Sequence, residues 1–191
     1  MSTLQIGSPA FRAAVSHTLQ KEGVFADAAN DSGGATIYGV SSTHWPAWYD
    51  RIMREPTVDG RIAIAVQFYH EHFWKALRLD EVKSHRIAVE IFDTAVNCGH
   101  SIAVHIVQEA ANFFHEAKGD FGAYIKEDGK MGAATLAAVN AICRKYEENF
   151  DGALNYFQAK FYMGLFGRHP EKYGDFIIGW FRRVQTHGEM E

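Results

Sequence analysis

Apolar residues recur at three- and four-residue intervals along most of this chain, the spacing that stacks side chains on one face of a helix. Ser8-Pro9 reads as an N-cap followed by proline at the first helical position. From there Phe11, Ala14, Val15, Thr18, Leu19 and Glu22 fall on one stripe, because the steps from Phe11 to Glu22 complete about three helical turns. Gly23 follows at once, where a helix ends. The same periodicity predicts helices near 43–53, 58–75, 84–97, 101–118, 133–149, 151–167 and 174–187. Ile62, Ala65, Val66, Tyr69 and Phe73 form one stripe; Leu136, Val139, Ile142 and Tyr146 form another.

Residues 27–35 break the pattern with Asp, Asn, Ser and two glycines, the composition of a tight turn, and Thr36–Ser41 reads as a short strand or an irregular extended piece. The expected fold class is therefore mainly α, with at most a small β-hairpin or extended segment near residues 30–41. Asn97-Cys98-Gly99 is a soft boundary between a region 1–96 and a helical region 97–191. No linker composition marks it, so the two regions are expected to share one core.

At 191 residues the chain is long enough to bury a core without covalent staples. A net charge of -4 and the lack of any Lys/Arg cluster beyond Arg182-Arg183 argue against a nucleic-acid binder. Cys98 and Cys143 stand far apart among apolar residues and read as two buried thiols. Residues 1–10 have neither a charged start nor an apolar run, and no stretch has the length of a membrane span. Synthesis in the cytoplasm is expected, with export by other means and no stable membrane insertion.

The stretch Glu22–Ser41 carries the candidate chemistry. Glu22 ends an apolar stripe, surroundings that penalise a charged carboxylate and suit a proton donor. Asp31 lies among Asn30, Ser32 and glycine amides, which favour the ionised form. Thr36 adds a hydroxyl at the start of the extended piece. Two carboxyl groups in contrasting surroundings are what hydrolysis of a glycosidic bond requires.

Glu22-Gly23-Val24-Phe25, followed by Asp31-Ser32-Gly33-Gly34-Ala35-Thr36-Ile37-Tyr38-Gly39-Val40-Ser41, resembles the N-terminal block of the glycoside hydrolase family 108 muramidases. It departs from that pattern at Val24 for Gly, Phe25 for Tyr and Ser32 for Pro. Phe73-Trp74 after Tyr69 looks like the family's aromatic helix, and Phe92-Asp93-Thr94-Ala95-Val96-Asn97-Cys98-Gly99 is similar to its Phe-Asp-x-Ala-Val-Asn-x-Gly helix. Asp128–Thr135 and Gly179–Arg183 look like the companion peptidoglycan-binding domain, with Ala133 in place of a usual proline. The resemblance spans about residues 10–185 and implies a lysozyme-like helical fold. It implies Glu22 as general acid in cleaving the β-1,4 bond between N-acetylmuramic acid and N-acetylglucosamine. By a weaker analogy with phage-type lysozymes, Asp31 and Thr36 hold the attacking water and favour inversion.

Tyr38, just after Thr36, is the aromatic expected to meet a sugar, with Gly34 beside it. Trp45 and Trp48 fit either core or cleft wall. Asp93 and Asn97, one helical turn apart, fit a substrate site, or an Asp that caps or tethers a neighbouring loop. Ten histidines show no zinc spacing: His70-Glu71-His72 lacks a second His four residues on, so no metal and no cofactor are expected.

The expected partner is the glycan strand of bacterial peptidoglycan, met by a monomer. Release by a holin, as for a phage endolysin, and specialised bacterial export both fit the N-terminus. A lytic transglycosylase and a silent wall-binding or export-accessory module are the rival readings; retention of Asp31 and Thr36 weighs against the first and the intact carboxylates against the second.

Overall fold

The computed structural model describes residues 6–22, 25–26, 34–119 and 121–184; the side chains of residues 21, 22, 25 and 26 lie outside the description. Two compact units divide the chain, Met1–Asp80 and Glu81–Glu191.

In the first unit, α1 (Pro9–Glu22) begins as its sequence requires: the Ser8 hydroxyl accepts the Phe11 N–H at 3.4 Å. Phe11, Ala14, Val15 and Thr18 are its buried face. The Phe11 ring packs edge-on against Trp74, centroids 5.4 Å apart, and burying a ring of that size stabilises the fold by about 2–3 kcal/mol. Next come β1 (Phe25–Ala26), β2 (Thr36–Ile37) and β3 (Val40–Ser41), which form one antiparallel sheet in the order β1-β2-β3. The hairpin of β2 and β3 lies where the extended piece was expected; β1 is a third strand that the sequence did not announce.

Two helices complete this unit, α2 (Pro46–Arg54) and α3 (Val58–Tyr69). Thr57 starts α3 by accepting the Gly60 N–H at 3.1 Å. The periodicity predicted one helix from 58 to 75, but at His70–Lys75 the chain widens into a π-helical turn. One extra residue per turn shifts the helix phase, and the adjacent rings of Phe73 and Trp74 both become buried. Trp74 then donates its indole N–H to Asp80 at 2.8 Å.

The second unit is helical: α4 (His85–Cys98), α5 (His100–Lys118), α6 (Ala133–Arg168), α7 (Pro170–Tyr173) and α8 (Ile177–Arg183). All nine residues from Ile87 to Ala95 in α4 are buried, as in a helix surrounded by neighbours, and within this unit α4 packs against α5 and α6. Gly99 (φ +83°) ends α4 within this second unit. Helices α5 and α6 run antiparallel, as the contacts Phe114–Phe150, Phe113–Phe157 and Glu109–Lys160 step in opposite directions along them.

The spacing predicted a break in α6 near Gly152, yet the helix passes through that glycine. The interruption falls at Tyr146 (φ -139°, ψ 38°), whose ring packs against Phe114 and Phe121 at 6.2 and 5.8 Å. The ring contacts of this half-buried tyrosine offset the loss of one residue of helical geometry.

Candidate functional site

Glu22 is the last residue of α1, and the chain leads from it into β1. The register pairs Phe25 with Ile37 and Ala26 with Thr36, so backbone hydrogen bonding brings the segment just after Glu22 alongside the strand that carries Thr36. Thr36 is half-buried and faces Ser41 across its other edge. The side chain of Glu22 and the whole of Asp31 lie outside the described residues.

The turn between β2 and β3 has positive φ at both central residues, Tyr38 (49°) and Gly39 (77°), as a type I′ hairpin demands. Tyrosine there is strained by about 1 kcal/mol or more. Two features hold it: the ring is 4 % exposed, and the Tyr69 hydroxyl donates to the Tyr38 carbonyl at 3.0 Å. The ring expected to meet a sugar therefore packs inside the unit, and its own hydroxyl is buried without a hydrogen-bond partner among the described residues. Gly34 (φ +69°) admits the following turn closely: a Cβ there would lie 2.5 Å from the Thr43 hydroxyl. Ser41 caps that turn by accepting the Thr43 and His44 N–H groups at 3.2 and 3.1 Å.

Trp45 and Trp48, left between core and cleft wall by the sequence, are half-buried and enclose the His72 ring at 4.7 and 5.4 Å. Arg51 lies 5.0 Å above Trp48. The cluster comes from α2 and the π-helical turn, whose widened phase no simple periodicity reveals.

Asp93 and Asn97 belong to the second unit. Arg183 donates to both Asp93 carboxylate oxygens, at 3.2 and 3.3 Å, and Asn97 donates to the Asp93 carbonyl at 3.0 Å and a carboxylate oxygen at 3.3 Å. The arrangement ties α4 to α8, a helix where the sequence reading had offered a tethered loop. Beside it Gln158 donates to Thr94 at 3.0 Å and Tyr162 at 3.3 Å, and Tyr162 stacks on Trp180 at 4.7 Å. Burial pushes Tyr162 above its ordinary pKa and the Cys98 thiol up to about 11; burial also raises Cys143 to about 12. Neither thiol is poised to act as a nucleophile.

Three buried polar side chains of this unit were passed over in the sequence. Glu90 is 2 % exposed within α4. Gln108, 1 % exposed, donates to Asp128, the Lys130 carbonyl and Thr135 at 3.1, 3.1 and 3.2 Å, and accepts the Gly129 N–H at 2.9 Å. Asn112 clamps Ile125 in both directions at 2.8 and 2.9 Å. A polar residue on an otherwise apolar helix face was the available signal. Among the described residues no three His, Cys, Asp or Glu side chains gather as a metal site needs.

Residues 15–99, which include Glu22, Asp31 and Thr36, match the model of the family described as Glycosyl hydrolase 108. Residues 102–185 match a second, described as Predicted Peptidoglycan domain. No curated protein matches the chain. Among solved structures, SagA of Brucella abortus is similar over 94% of this chain and 95% of its own, with a TM-score of 0.63 and 22% identity, a likeness of fold. The two family matches in this order support a peptidoglycan hydrolase.

Proposed function

From a glycosyl hydrolase region followed by a peptidoglycan domain, we propose that the chain is an N-acetylmuramidase, cleaving the β-1,4 bond between N-acetylmuramic acid and N-acetylglucosamine. Glu22 is the general acid that protonates the leaving oxygen. Asp31 and Thr36 hold the water that attacks the anomeric carbon, and Asp31 takes its proton. The observation that carries this reading is the register of the small sheet. By pairing Ala26 with Thr36, it joins the end of the Glu22 helix to the Thr36 strand. The substrate is the wall glycan, which a chain made in the cytoplasm reaches after holin-type release or specialised export.

The test is the muropeptide profile of digested wall for wild type beside Glu22→Gln. Reducing muramic ends are expected from the wild type, and a loss on the order of 10² to 10⁴ in rate from the variant. Anhydro-muramyl ends would instead make the enzyme a lytic transglycosylase, and lysis that persists in Glu22→Gln would place the acid elsewhere.

A further inference from the structure

A groove of about 570 Å³ lies in the second unit between α5, α6 and the loop before α6, a volume suited to a small ligand. Its floor is apolar: Ile102 and Ile106 come from one face of α5, Phe157 and Phe161 from one face of α6. Its rim carries both signs of charge. The Glu109–Lys160 ion pair bridges the helices. From there the groove extends toward Ser101 on α5 and Arg168 on α6, eight residues away on each helix and so about 12 Å along both.

At that end the loop closes against α5. Gly129 (φ +68°) sits so near Ser101 that a Cβ would fall on the serine hydroxyl. The fixed loop presents Asp128, whose Oδ1 accepts from Gln108 and from the Lys130 N–H; these bonds hold its carboxyl below the usual carboxylate range. The guanidinium of Arg168 folds back over Gly164, 3.6 Å from the place of a Cβ there, and makes no ion pair with the described residues. A carboxylate on the loop and a guanidinium on α6 thus both line the apolar trough.

Amino-sugar rings carry no charges to satisfy this rim, whereas the peptide stems of peptidoglycan carry free carboxylates and, on their diamino acid, a free ammonium. We propose that this groove binds a zwitterionic stem peptide of peptidoglycan, its ammonium at Asp128, a carboxylate at Arg168 and its aliphatic stretch on the floor. The choice of ligand rests on the reading of the chain as a peptidoglycan hydrolase.

Calorimetric titration of the full chain with N-acetyl-L-Ala-γ-D-Glu-meso-diaminopimelate-D-Ala tests it, with lysis of cell-wall suspensions followed in parallel. Saturable binding is expected. Acetylating the diaminopimelate amine, or substituting Arg168→Glu, should weaken it at least about tenfold, one lost charge-assisted contact. Gly164→Trp should abolish it by filling the trough, and neutral chitotetraose should not compete. Circular dichroism matching the wild type shows that each variant has folded. No binding at millimolar peptide, equal affinity for the acetylated peptide, unchanged affinity in both variants, or competition by chitotetraose would overturn the groove assignment. Lysis without peptide binding removes this proposal alone; peptide binding without lysis removes the hydrolase reading alone.

Discussion

The hydroxyl of Tyr69 donates to the carbonyl of Tyr38 at 3.0 Å, fastening α3 to a hairpin turn that is strained at the accepting residue. The two hydroxyls differ: that of Tyr69 makes this bond, and that of Tyr38 is buried without a partner among the described residues. Tyr69→Phe should destabilise the protein by about 1 kcal/mol or more, while Tyr38→Phe should be neutral or stabilise by about 1 kcal/mol. Urea unfolding of the two variants measures both signs.

The Arg183–Asp93 pair is largely buried, with side-chain exposures of 20% and 7%. Arg183→Ala leaves the carboxylate without its cation and should destabilise by about 3 kcal/mol. Asp93→Asn, which keeps a hydrogen-bonding group in place, should destabilise less. If Asp93 only tethers α8, the remaining wall-lytic activity of both variants should follow the folded fraction seen by circular dichroism. Activity lost from fully folded Asp93→Asn would show a role in substrate binding.

The carboxyl of Asp128 is held below its ordinary value of 3.8 by the Gln108 hydrogen bond first and the Lys130 N–H second. A carboxyl depressed in the folded state contributes stability that is present above its unfolded pKa and lost as pH falls through the folded one. Thermal unfolding of wild type and Asp128→Asn should therefore differ most near neutrality, and the difference should shrink below about pH 4.

With Cys98 raised to about 11 and Cys143 to about 12, neither thiol is ionised near pH 8. Reaction with a disulfide reagent at that pH should be slow in the native protein and fast in denaturant. Both cysteines are half-buried rather than fully buried as the sequence suggested, and a prompt native reaction of either would contradict its raised pKa.

Gly152 lies exposed inside α6, beyond the interruption at Tyr146, and a Cβ there would meet nothing within 4 Å. Gly152→Ala should stabilise by about 0.5–1 kcal/mol, read from the midpoint of chemical unfolding.

The helical stripes were legible because burying one face of a helix repeats every three to four residues wherever it occurs. Ser8-Pro9 likewise marks a helix start through a bond that closes within a few residues. Glu22, Asp31 and Thr36 stand within a short block of sequence, and of the three only the Thr36 side chain falls among the described residues. The placement of the Tyr38 ring, the pairing of Asp93 with Arg183 and the break at Tyr146 were not legible. Each depends on partners distant in sequence: Tyr69 for the first, ninety residues for the second, and the rings of Phe114 and Phe121 for the third. Sequence alone determined which segments are helical and which residue types are available for chemistry. Only the tertiary structure decided which polar side chains hold the fold and which line a groove, because burial and pairing energies arise from neighbours that periodicity does not encode.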